Sequence, residues 1–272
     1  MPPQLKLISN ARENGHFEPP PRFRILGVGV HAVQIPDVVS QMQLWIRSKA
    51  AGRYIAVTGM HGISESHTDS DLRRALDSAD LVVPDGMPLV WLGRWHRHRL
   101  KRRVYGPELM ETFCRETGPA YRHFFYGGGN GTAERLADSL QKRYGIVVAG
   151  TYTPPFRLLT EDEWKSFEFT LEAAAPDVLW VGLSTPRQEK WMHQHCSKLR
   201  VPVSLGVGAA FDINSGGTRQ APLWMRENGL EWLFRLTSEP HRLWRRYLIS
   251  IPKASALVLL ELAGFPPPSQ TV

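Results

Sequence analysis

The stretch Ala79–Gly86, A-D-L-V-V-P-D-G, puts a carboxylate where a strand should end. Leu81, Val82 and Val83 form a short apolar run that reads as a buried parallel strand. Pro84 closes the run, because proline has no N–H to give a sheet ladder. Asp85 therefore falls just past a strand's carboxyl end, the edge at which open α/β sheets bind ligands. Gly86 lets the chain turn sharply there. A carboxylate so placed either takes a proton from a substrate hydroxyl or caps the helix expected over 87–95.

Other residues carry chemistry at similar places. Thr58 ends a strand over 54–58 and leads into G-M-H-G-I-S-E-S, where glycines 59 and 62 let backbone approach a ligand closely. His61, in that loop, is either a solvated structural histidine or a ligand contact. Arg103 precedes a loop with Pro107 in the first turn of a helix over 108–117, a suitable anion clamp. Gly127, Gly128 and Gly129 follow a strand over 122–126. Their N–H groups either cradle phosphate or the glycines serve tight packing. They do not fit G-x-G-x-x-G, and the next strand, over 146–150, ends in Thr151-Tyr152 without a ribose-binding carboxylate, which argues against a dinucleotide. Gln188, Glu189 and Trp191 start a helix after a strand over 177–183, and Asp212 falls past a strand over 203–207. Asp69 and Asp71 superficially match a metal-holding D-x-D. They do not follow a strand, and acidic residues in a first helical turn are what capping favours.

The elements that position these residues alternate strand, polar loop and helix. That rhythm predicts an α/β fold with a parallel sheet covered by helices on both faces. The 272 residues suffice for one large α/β domain, and 42% hydrophobic with 22% charged residues is ordinary for a globular chain. A net charge of +7 favours an anionic partner, and nine tryptophans, several beside arginines, suit a membrane interface or a sugar site. Two distant cysteines, Cys114 and Cys196, offer neither zinc-ligand spacing nor a disulfide framework. No run reaches the roughly 20 apolar residues of a membrane span, and none near the first residue is long enough for a signal peptide. Residues 1–22 read as a disordered arm, 23–218 as the catalytic domain and 219–272 as a helical appendage. In the appendage, a helix over 222–238 precedes one over 242–251 flanked by Arg242, Arg245 and Arg246. With the apolar run 254–263 this forms a basic amphipathic segment that lies in a membrane interface or packs on the core or on a partner subunit.

Taken together, the motifs resemble the WecG/TagA/CpsF glycosyltransferases. The carriers are A-D-L-V-V-P-D-G at 79–86, R-V-Y-G-P-E-L-M at 103–110, F-Y-G-G-G-N-G at 125–131 and V-G-L-S-T-P-R-Q-E-K-W at 181–191. G-V-G-A-A-F-D at 206–212 and the W-x-x-R-L-x-x-E-P-x-R-L-W-R-R-Y run at 232–247 complete the set. The resemblance implies a Rossmann-like domain without a D-x-D metal and without a cofactor. It implies transfer from a UDP-sugar, with inversion, to a polyprenyl-linked or polysaccharide-repeat acceptor. Asp85 would be the base, and Thr58, Gln188 and Asp212 would line the donor and acceptor pocket. The tail would help close the site and meet an anionic membrane surface at the cytoplasmic face; a homo-oligomer would suit the aromatic-rich face at 224–234. Nucleic acid is not an expected partner. Many members carry T-x-N-x-E after the second strand; this chain has T-G-M-H-G-I, so His61 stands in for the asparagine contact.

Overall fold

A computed structural model describes residues 20–238, 240–245, 248 and 251–265. Of the expected arm, residues 1–19 lie outside the described set, while Arg22 already opens strand β1 (Arg22–Ile25). β1 pairs antiparallel with β2 (Val28–His31) as a separate two-stranded sheet. The single strand expected from Arg24 to Val33 is thus a hairpin. Leu26 and Gly27 both take positive φ, 47° and 78°, which folds the run back on itself in a two-residue turn.

Helix α1 (Ile35–Arg47) begins with proline in its first turn and a reciprocal Gln34–Asp37 cap. The chain continues through β3 (Arg53–Thr58), α2 (Met60–Ser66), α3 (Ser70–Asp77), β4 (Leu81–Pro84), α4 (Met87–Trp95) and α5 (Gly106–Thr117). Next come β5 (Arg122–Gly127), α6 (Thr132–Tyr144), β6 (Val147–Tyr152), α7 (Glu161–Ala174), β7 (Val178–Gly182), α8 (Arg187–His195), β8 (Val203–Gly206) and α9 (Ala210–Asn214). Strands β3 to β8 form one parallel sheet in the order β4-β3-β8-β7-β5-β6.

Side chains alternate along each strand, so the sheet feeds two cores. Tyr54, Ala56, Val82, Phe124, Tyr126, Leu179 and Val181 face one layer. Ile55, Val57, Leu81, Val83, Phe125, Val178 and Trp180 face the other. A sheet buried on both faces needs apolar residues at every position, which is why these strands read as continuous hydrophobic runs. Fold and sequence agree here: the domain is α/β and Rossmann-like.

Strand order also fixes where a ligand can enter. β5 continues outward to β6, whereas β7 returns inward to β8, so the connections leaving these neighbours diverge. Such divergence opens a crevice at the carboxyl ends of the strands.

The appendage departs from expectation in its first helix. The helix over 222–238 is two helices, α10 (Leu223–Glu227) and α11 (Glu231–Ser238), separated at Gly229, whose φ is +73°. Helix α12 (Pro240–Arg245) and helix α13 (Ile251–Leu262) lie on either side of positions 246–250, of which only Leu248 is among the described residues, so the helix expected over 242–251 is described only in part. α13 settles on the domain: Ala254 and Val258 enter the first core layer, and Glu261 Oε2 accepts from the Leu26 N–H at 2.8 Å. For this stretch, packing on the core describes the structure. Among the described residues no helix is long and apolar enough to cross a membrane.

Candidate active site

Asp85 is pinned by backbone before its side chain comes into play. Its N–H donates to Thr58 O at 2.8 Å, and a Cβ on Gly59 would lie 2.6 Å from Asp85 O, so only glycine fits there. The N-cap residue of α4 is Gly86, at φ 125°, so Asp85 stands one position before the residue that caps the helix. The Asp85 carboxylate instead stands at the carboxyl edge, with 32% of its side chain exposed, so solvent and substrate can reach it.

The Val104 N–H donates to Pro84 O at 2.8 Å and brings the 103–105 loop alongside. One Arg103 guanidinium nitrogen then lies 4.0 Å from Asp85 Oδ1, and the group sits 4.1 Å above the Tyr105 ring. Its other terminal nitrogen pairs with Glu231 of α11. Arg235 completes the cluster, 2.6 Å from Glu231 Oε1 and donating to the Tyr105 hydroxyl at 3.2 Å. Burial favours a neutral Glu231, but Arg235 and Arg103 outweigh it and hold the carboxyl below the usual range. The expected anion clamp is therefore already balanced by a carboxylate, and an incoming phosphate must share it.

Between this cluster and α9 lies a cleft walled by Tyr105, Asp212, Arg219, Phe234 and Arg235. Asp212 reaches it from the first turn of α9. Helix α11, in the appendage, thus supplies one wall of this cleft. Backbone at Arg242 and Arg245 lies in α12, and Arg246 falls outside the described residues.

A second polar group lies beneath the ends of β3 and β7. Thr58 is buried with no hydrogen-bond partner for its hydroxyl, and a Cβ on Gly62 would come within 2.3 Å of that oxygen. Gln188 is buried, donates to Glu189 Oε1 at 3.1 Å, and leaves its own Oε1 without a partner. Gly206 and Gly208 both pack against the Gln188 amide. Buried polar atoms normally find partners, so each of these oxygens keeps unused hydrogen-bonding capacity. His61 is on the first turn of α2 rather than in a loop, with Nε2 3.2 Å from Glu65 Oε2.

The glycine loop divides. A Cβ on Gly127 would meet Gly182 O at 2.6 Å, and the Gly128 N–H already donates to that carbonyl at 2.9 Å. Close strand packing accounts for both. Gly129 has only the Thr132 hydroxyl near its Cβ position, 3.8 Å away, and stays open to a ligand. Asp69 caps α3 through the Asp71 and Leu72 N–H groups and pairs with Lys190 at 2.5 Å, while Asp71 pairs with Arg74.

Glu189 is the residue whose role sequence reasoning missed. It was legible at the strand edge, but nothing in the motif announces a carboxyl group with no exposed surface. Its Oε1 also accepts from the Thr185 hydroxyl at 2.8 Å, and burial pushes its pKa up. The native state therefore holds this proton more tightly than the unfolded chain. The stability so gained is full below the ordinary value near 4.5 and declines as pH rises through the native value. Glu189→Gln, which mimics the neutral acid, is expected to fold and to flatten that decline. Melting temperature followed from acid to alkaline pH in both proteins is the check.

A reachable carboxylate beside a guanidinium, at the carboxyl edge of a doubly covered parallel sheet, stands where α/β proteins of this build place their ligand sites. Comparison with known proteins narrows the class. The family described as Glycosyl transferase WecG/TagA/CpsF matches residues 23–266, and the chain belongs to it; it is a glycosyltransferase. Among its relatives is the N-acetylglucosaminyldiphosphoundecaprenol N-acetyl-beta-D-mannosaminyltransferase of Bacillus subtilis (strain 168). It is 29% identical over 197 residues, covering 71% of this chain and 73% of the relative. The enzyme of the same name from Bacillus spizizenii (strain ATCC 23059 / NRRL B-14472 / W23) is 27% identical, covering 83% and 86%. That of Staphylococcus aureus (strain MRSA252) is 25% identical, covering 84% and 88%.

Proposed function

We propose that the chain transfers an N-acetylmannosamine-type sugar from a UDP-sugar to a polyprenyl-diphosphate-linked sugar, inverting the anomeric centre. The observation that supports this reading is Asp85, partly exposed at the sheet edge and 4.0 Å from Arg103, in a relative of three enzymes named for N-acetylmannosaminyl transfer to N-acetylglucosaminyldiphosphoundecaprenol. The acceptor oxygen bonds to the anomeric carbon as the bond from that carbon to UDP breaks. The bonding electrons leave with UDP, and the hydroxyl proton passes to Asp85. Arg103 and Arg235, with the open end of the glycine loop at Gly129, face the departing diphosphate. Preorganised donors and cations of this kind do most of their work where charge develops. Thr58 and Gln188 offer their orphaned oxygens to the hydroxyl and acetamido groups of a sugar. A water-soluble donor and a lipid-borne acceptor meet only at a membrane surface, so the reading places the enzyme at the cytoplasmic face of the plasma membrane. Asp69 and Asp71 are occupied in capping and ion pairs, and the reading includes no metal.

The test is to supply purified protein with UDP-N-acetylmannosamine and a polyprenyl-diphosphate N-acetylglucosamine, then to measure product mass, anomeric configuration and released UDP. One added hexosamine of inverted configuration, formed equally in EDTA, is the expected result. Product from UDP-glucose or UDP-glucuronate instead would reassign the sugar. No product from any of the three, with thermal stabilisation by NAD(H) or NADP(H), would overturn the transferase mechanism in favour of a dinucleotide enzyme.

A further inference from the structure

We infer that the outer face of helix α4 and the basic segment after it form a docking surface for anionic lipid, distinct from the basic C-terminal run at 242–246. The inference rests on the membrane-borne acceptor proposed above and says which side of the molecule meets the bilayer. Trp91 and Trp95, one helical turn apart and so on one side of the helix, are 50% and 69% exposed. Indole rings with this much free surface favour the headgroup layer of a membrane, where one edge is apolar and the other wet. From Gly86 to Pro107 the sequence holds no Asp or Glu, while Arg94, Arg97, Arg99, Lys101 and Arg102 are all exposed.

The surrounding carboxylates do not neutralise this surface. Glu108 and Glu227 both go to Arg102, at 3.3 Å each. Among the described residues no ion pair involves Arg94, Arg97, Arg99 or Lys101. The Arg94 guanidinium instead fixes the shape of the segment by donating to Leu100 O and Lys101 O at 2.7 and 2.9 Å. The turn at Gly229, between α10 and α11, abuts this face, its Cβ position lying 3.0 Å from the Trp91 ring. Trp224 of α10 is itself 60% exposed.

The surface also leads to the site. A cleft lined by Lys101, Arg102, Arg103 and Arg226, whose four cations outnumber the two carboxylates there, Glu108 and Glu227, runs beside it. Arg103 ends the basic run and lies 4.0 Å from Asp85. With this face against the bilayer, a diphosphate at headgroup depth enters the cleft and the sugar it carries arrives at the carboxylate. An acidic protein would match the charge but not the paired exposed indoles, and a lipid surface matches both.

The full chain is mixed with vesicles of phosphatidylcholine alone or with phosphatidylglycerol added, and bound protein is sedimented. Wild type is expected to bind the anionic vesicles and to be released as salt rises. A Trp95→Ser, Arg97→Glu, Arg99→Glu variant is expected to bind them at least about 25-fold more weakly, two cations counting roughly fivefold each. Trp95→Ser alone should weaken binding less while keeping its salt dependence. Transfer to a short-chain, water-soluble acceptor is expected to be unchanged in the triple variant, while transfer to a vesicle-embedded acceptor falls. Equal vesicle binding by wild type and the triple variant would overturn the assignment. So would loss of a wild-type dimer in light scattering without loss of vesicle binding, which would give the face to a second copy of the chain. The vesicle measurement needs no turnover, so failure of the proposed reaction and failure of the docking face are read separately.

Discussion

Asparagine at position 85 is expected to lower transferase turnover by about 10²–10⁴-fold, the usual worth of a positioned general base. The side chain keeps its size, and the backbone bond from Asp85 N–H to Thr58 O is untouched. α4 loses no cap, because Gly86 serves it without a side chain. The melting temperature should therefore stay within about 2 °C of the parent, as for substitutions outside core and cap. Thermal stabilisation by UDP should survive, because the contacts proposed for the diphosphate come from cations and N–H groups rather than from this carboxylate. Undiminished turnover in a purified-component assay would remove Asp85 from the chemistry.

The second large effect is expected at Arg103, and it should appear in stability as well as rate. Arg103→Leu strips the cation from beside Asp85 and leaves the buried Glu231 with Arg235 alone. Breaking one side of a buried ion pair costs about 3–5 kcal/mol when nothing else compensates. With Arg235 still in contact, a loss near the lower figure is expected, read as a fall in melting temperature of roughly 6–12 °C. Turnover should drop by about 10²-fold, the scale of losing one group that stabilises transition-state charge. Glu231 sets the accompanying pH behaviour. Its carboxyl is held below the ordinary range, so the stability it contributes is present above about 4.5 and disappears as pH falls through the native value. Wild type should show this acid limb and the variant a shallower one. Arg103→Lys, which keeps charge but loses the planar fork, should recover part of each loss.

Much of this arrangement was legible in the residues, for a physical reason. A strand buried on both faces is mostly apolar, so 54–58, 81–83, 203–207 and the F-F-Y of 122–126 stand out by composition. Once they are placed in a parallel sheet, Thr58, Asp85, Gln188 and Asp212 fall at one edge. What escaped notice depended on contacts between distant parts of the chain. Glu231 looks like any first-turn acid until α11 brings it to Arg103, 128 positions away. The hairpin at 22–31 hid because a two-residue turn with a leucine at positive φ carries no strong sequence signal. The short helix at Met60 was missed because glycines at 59 and 62 suggest a loop. In the structure Gly59 caps that helix and Gly62 clears the Thr58 hydroxyl.

The bond from Leu26 to Glu261 has a practical corollary for anyone shortening the polypeptide. It ties the first described hairpin to the last described helix, 235 positions apart in sequence. Ala254 and Val258 shelter the same apolar layer that receives Phe23 and Ile25. Trimming at one extremity would strip cover from the other, so boundaries for expression cannot be chosen independently. A version cut before Ile251 should be judged as a damaged domain rather than as a catalytic body freed of an ornament.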